Sequence, residues 1–88
     1  MVKNSGFVIY TAPGRYEGLR IGICAGKSLG NAVKRNRLKR QIREIIRQLK
    51  KECVNRDMVI IARKGILDKD FSYMKQSLEV LVSRALAQ

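Results

Sequence analysis

The sequence predicts an α+β fold, with a small mixed sheet of about three to four strands packed with a long basic helix and a C-terminal helix. Three observations predict it. Short β-branched and aromatic runs come first, an apolar stripe of helical spacing occupies the middle of the chain, and a second such stripe closes it. With 88 residues and neither an internal repeat nor a linker, residues 1–88 are expected to form a single domain.

Phe7-Val8-Ile9-Tyr10 reads as a first strand, ended by the turn-forming Ala12-Pro13-Gly14. Leu19 to Cys24 follows with a period of two, placing Leu19, Ile21 and Ile23 on one side and Arg20, Gly22 and Cys24 on the other. A second strand, antiparallel to the first, is expected there. Gly26 to Asn31 is a loop, and Asn31 is placed to cap a helix that begins near Ala32 and runs to about Cys53. Along that helix Leu38, Ile42, Ile45, Ile46 and Leu49 share one face, while Asn36, Lys39, Arg40, Arg43, Arg47 and Lys50 lie opposite. The near-continuous apolar run Asp57 to Ala62 predicts a central strand covered on both sides. A turn at Lys64-Gly65 leads to the last helix, which Asp70 caps and whose stripe is Phe71, Met74, Leu78, Leu81, Val82 and Ala85.

Nineteen Lys and Arg against seven Asp and Glu give a net charge of +12, a field that calls for a polyanionic partner. No apolar run approaches the roughly 20 residues of a spanning helix, and the N-terminus lacks the blocks of a signal peptide. A soluble, cytoplasmic protein without membrane partners is therefore expected. Cys24 and Cys53 stand far apart, without the spacing of a zinc or redox motif, and read as reduced thiols. Cys24, inside an apolar stretch, is expected to be a small buried hydrophobe.

The chain has no His and only seven scattered carboxylates, so no catalytic side chain and no protein metal site is expected. This argues against an autonomous hydrolase. Glu44 is placed to form an intrahelical ion pair with Arg40 or Arg47, and Asp68 and Asp70 read as helix caps. The cationic segment is more informative. Between Lys34 and Lys51 nine cations face the single acid Glu44, and repulsion at that density is relieved by a phosphate backbone. Composition alone leaves RNA and DNA both open, and a general nucleic-acid-binding module such as a ribosomal protein is the rival reading.

Gly30-Asn31-Ala32-Val33-Lys34-Arg35-Asn36-Arg37-Leu38-Lys39-Arg40, followed by Ile42-Arg43-Glu44, closely resembles the signature of the bacterial ribonuclease P protein component, with its central Arg-Asn-Arg. Phe7 to Tyr10, Arg20 to Ile23, Lys27, and Asp57 to Arg63 resemble the family's flanking segments, so the likeness spans the chain from Phe7 onward. Two departures stand out. The family's additional N-terminal helix has no counterpart, and Lys27-Ser28 stands where a pair of lysines is common.

The resemblance implies a protein subunit that assists a catalytic RNA with bound magnesium in removing the 5′ leader of precursor tRNA. It also implies a left-handed strand-helix-strand crossover. By the same resemblance Lys27, Asn31, Lys34, Arg35, Asn36, Arg37 and Arg40 are expected on the RNA subunit, and Val8, Tyr10, Lys39, Arg43 and Arg47 on the leader. Without the extra helix, an apolar sheet face is expected to stand uncovered, open to self-association.

Overall fold

The computed structural model describes residues 1–14, 18–49 and 56–87. Four strands and two helices follow in the order β1 (Val2–Lys3), β2 (Phe7–Pro13), β3 (Leu19–Ala25), α1 (Ala32–Gln48), β4 (Arg56–Ala62) and α2 (Phe71–Leu86). Short 3-10 turns at Lys27–Leu29 and Lys64–Ile66 precede the helices. The sheet order is β1-β2-β4-β3.

The apolar run of β4 earns it the central position, as its sequence predicts. It pairs antiparallel with β2 and parallel with β3. Strands β2 and β3 run in opposite directions, as expected, yet they do not pair, because β4 lies between them. A parallel neighbour needs a long crossover, and α1 supplies it between β3 and β4.

Cross-strand partners point to the same side of a sheet, so the register defines its two faces. Phe7 lies opposite Ala62, Ile9 opposite Ile60, Ile21 opposite Met58 and Ile23 opposite Ile60. These residues face both helices. Helix α1 packs on β3, α2 packs on β1 and β2, and the helices touch each other. The core joins Phe7, Ile9, Met58 and Ile60 to Leu38, Ile42 and Ile45 of α1 and to Met74, Leu78 and Leu81 of α2.

The opposite face carries Val8, Tyr10, Val59, Ile61, Gly22 and Cys24, and no element covers it among the described residues. Two expectations are corrected by that fact. Strand β4 is covered on one side only, because both helices lie on the same face. Cys24 is exposed rather than buried, since the alternation of β3 turns it toward the open side.

Strand β2 also continues to Pro13 instead of stopping at Tyr10. Proline is tolerated there because β1 reaches only as far as Ile9, which leaves that end of β2 an edge on one side. Helix α1 ends at Gln48 with Leu49 as its C-cap, short of the expected Cys53, and Lys50 and Lys51 lie outside the described residues.

A clamp around Asn4 holds the N-terminal hairpin. Its side-chain oxygen accepts from the Gly6 and Phe7 N–H groups at 2.9 and 2.8 Å, and its amide donates to Ser77 Oγ of α2 at 2.9 Å. Arg63 ties the far turn to the same loop, its guanidinium donating to the Asn4 carbonyl and its N–H to that of Gly6, both at 2.8 Å. Gly65 completes the lock, because a Cβ there would run into the Ser5 carbonyl.

Candidate nucleic-acid interface

Helix α1 begins where the sequence places it, at Ala32. The Asn31 side chain accepts from the Lys34 N–H at 2.9 Å, and the Leu49 N–H closes the other end on Ile45 and Ile46. No Gly or Pro interrupts the helix, and Leu38, Ile42 and Ile45 are buried. That stripe fixes the rotation of the helix and so decides where each cation points.

Several of the cations fall on two flanks, while Arg35, about 60° round from Leu38, lies on the β3 side and Arg40, about 200° round, points away from the stripe. Ile46, Lys39, Arg43 and Arg47 lie about 80°, 100°, 140° and 180° round from Leu38, toward β3. Arg43, Ile46 and Arg47 line a cavity of about 210 Å³ with Ile21 and Ile23. Lys34, Gln41 and Arg37 lie about 320°, 300° and 260° round, on the other side. They line a cavity of about 570 Å³ with the loop Ser28–Gly30 and the turn Ile66–Lys69.

The residues matched to the RNA subunit are nearly all accessible. Lys27, Asn31, Lys34, Asn36, Arg37 and Arg40 are exposed, while Arg35 is half-buried with its Nε out of water and without a hydrogen-bond partner. Asn31 is already engaged as the helix cap.

The residues matched to the leader fall in two places. Arg43 and Arg47 are brought together beside β3, with the half-buried Lys39 on the same flank. Val8 and Tyr10 sit on the open sheet face, where Tyr10 is 48% exposed. Two strand spacings, about 10 Å, separate β2 from β3. The row Tyr10, Val59, Gly22 crosses that distance, and Gly22 offers no side chain to block it. Val59, 39% exposed at the middle of this face, was not singled out by sequence reasoning, although the period of two in β4 points to it. Gln41 and Lys69 of the larger cavity carry no sequence signal, because the cavity exists only once the turn after β4 folds against α1.

One of the leader-matched cations is partly neutralised. Glu44 pairs with Arg47 rather than Arg40, accepting from Nη2 at 2.8 Å and from Nε at 3.1 Å. The hydrogen bonds from Arg47 and then Gln48 hold the Glu44 carboxyl below the usual carboxylate range, and the same pair holds Arg47 more firmly protonated. Asp70 caps α2, accepting from the Tyr73 N–H at 2.9 Å, whereas Asp68 is exposed on the wall of the larger cavity. No helix among the described residues is long and apolar enough to cross a membrane.

Comparison with known proteins identifies the family of the chain. The family model for ribonuclease P matches residues 1–86. A ribonuclease P protein component from Streptococcus equi subsp. equi is 42% identical over 84 residues, covering 96% of this chain and 71% of the relative. The fold matches the RNase P protein of Staphylococcus aureus with a TM-score of 0.87 and 38% identity, over 96% of this chain and 78% of that one. It matches the RNase P protein of Thermotoga maritima at 0.84 and 30%, over 94% and 80%. The mixed sheet, the cationic helix and these likenesses together show that the chain belongs to the ribonuclease P protein component family.

Proposed function

We propose that this protein holds the 5′ leader of precursor tRNA against the catalytic RNA of ribonuclease P. In this reading the RNA, with its bound magnesium, directs water onto the phosphodiester and leaves a 5′-phosphate on the tRNA. The protein contributes binding. The observation that carries the reading is that Arg43 and Arg47 gather beside β3 while Lys34 and Arg37 gather beside the loop after it.

The β3 flank, with Lys39, Arg43 and Arg47, suits the phosphates of a single strand, and the exposed ring of Tyr10 with Val8 suits its unstacked bases. Lys27, Asn31, Lys34, Arg35, Asn36, Arg37 and Arg40 are assigned to the RNA subunit. The unpartnered Nε of Arg35 is a buried donor that a phosphate oxygen would satisfy. Magnesium is assigned mainly to the RNA subunit in this reading, and no step is routed through this chain. A cytoplasmic location goes with the substrate.

Reconstitution tests the reading. Adding the protein to the RNA subunit and precursor tRNA at low magnesium is expected to raise cleavage and to tighten binding of substrates that carry a leader. Equal cleavage with and without the protein would overturn it.

A further inference from the structure

The larger cavity beside α1 has a wall, Ile66 to Lys69, that belongs to neither RNA surface assigned above. Its volume of about 570 Å³ falls within the roughly 300–1,000 Å³ of ligand-sized clefts. The floor is apolar, built from the buried Leu29, Leu38, Ile66 and Met74. Leu67, 48% exposed, extends that apolar surface to the rim. Lys34, Arg37 and Lys69 supply three positive charges around it, and Asp68 supplies a single carboxylate.

We propose that this cavity seats one unpaired guanine nucleotide of an RNA partner, with the base on the apolar floor and its phosphate on the cationic rim. The proposal rests on the RNA-binding reading and adds a base-selective site to it. An apolar floor accepts the face of any base, so the choice of base falls to the polar groups. Guanine presents two adjacent donors, N1–H and N2–H, that match the two oxygens of one carboxylate. Its O6 and N7 acceptors suit Arg or Lys. Uracil has only one ring donor, and its two carbonyl oxygens would meet the carboxylate unfavourably.

The walls are held in place before any ligand arrives. The Ile66, Leu67 and Lys69 N–H groups donate to the Arg63, Lys64 and Ile66 carbonyls at 3.0–3.1 Å, and Gly65 locks the turn against Ser5. Gly30, at φ 122°, turns the opposite wall with its Cα against the Lys34 side chain, where a Cβ would stand 3.0 Å from Lys34 Cδ. Lys69 is further steadied over the Tyr73 ring, 5.1 Å from its centroid. A cleft so constrained avoids the cost of ordering its own lining on binding.

The test titrates the full 15N-labelled chain with GMP, AMP, CMP, UMP and inorganic phosphate, following its amide resonances. GMP is expected to shift Leu29, Gln41, Leu67 and Lys69 and to bind at least about fivefold more tightly than UMP. Asp68→Ala should abolish that preference while leaving the response to phosphate. Equal responses to all five probes, shifts confined to the open sheet face, or silence of these amides would each overturn the proposal. Ribonuclease P RNA is added to the same sample in parallel. If that RNA binds while the cavity ignores nucleotides, the cavity alone is rejected, whereas a chain that binds no RNA loses the reading on which the site rests.

Discussion

The two faces of the sheet are made of nearly the same residue types, yet one is core and the other is open. Phe7 and Ile9 are fully buried, while Val8 and Tyr10 between and beside them are half-buried and exposed. The same contrast separates Ile60 from Val59. Two amphipathic helices supply enough apolar stripe for one face only, since both pack on the same side and spend their other sides on solvent and charge. An apolar alternate position in a strand therefore reports chemistry, not burial, and an uncovered apolar face beside a cationic helix is suited to a partner.

The strongest way to break that contrast is to cut matched side chains from the two faces. Ile60→Ala is expected to cost about 2–5 kcal/mol in chemical denaturation, because a cavity opens in the core. Val59→Ala should cost well under about 1 kcal/mol, as befits a surface site. Comparable losses would mean that something covers the open face in solution. We propose self-association over this face at high protein concentration, and light scattering without RNA tests it: a monomer at every concentration would reject the idea.

The two sets of polar residues on α1 sharpen the comparison on the functional side. Lys39→Ala and Arg43→Ala are expected to weaken leader-dependent substrate binding, and Asn36→Ala and Arg37→Ala attachment to the RNA subunit, by about 1–3 kcal/mol each. Circular dichroism should stay unchanged, since none of the four belongs to the buried stripe. Parental affinities in all four variants would dissolve the assignment of two RNA surfaces. If about six phosphates are neutralised on a single strand, log affinity should fall with log salt at a slope near −4. A slope close to zero would remove the electrostatic account.

Local signals carried most of the fold into the sequence. Asn31 and Asp70 cap α1 and α2 as their positions predict, and the stripe of α1 could be read residue by residue. Truncating either cap to Ala is expected to cost about 1 kcal/mol in a thermal melt, and no loss would mean that packing alone sets the helix ends. What the sequence hid was relational. Strand β1 has only Val2 and Lys3 and forms because the Asn4 clamp folds it back on β2. The one-sided cover of β4 and the exposure of Cys24 depend on which face both helices choose, which no period within a strand records. The cationic surface was legible because cations opposite an apolar stripe have one place to go. The larger cavity was not, because its walls come from segments about 30 residues apart.

The smallest expected effect concerns the acid on the cationic helix. The Glu44–Arg47 pair is open to solvent and so contributes little stability, and its main consequence is to occupy a guanidinium of the proposed leader surface. Its carboxyl is held below the ordinary range when folded, so whatever the pair contributes is present above the unfolded carboxyl's pKa and fades as pH falls through the lower folded value. Glu44→Gln should therefore melt slightly below the parent at neutral pH and level with it in acid. At neutral pH the same substitution releases Arg47 for a phosphate, which should steepen the salt dependence of leader binding by up to about 0.7 in slope. An unchanged slope would place Arg47 off the path of the RNA and leave Lys39 and Arg43 as the charges of that flank.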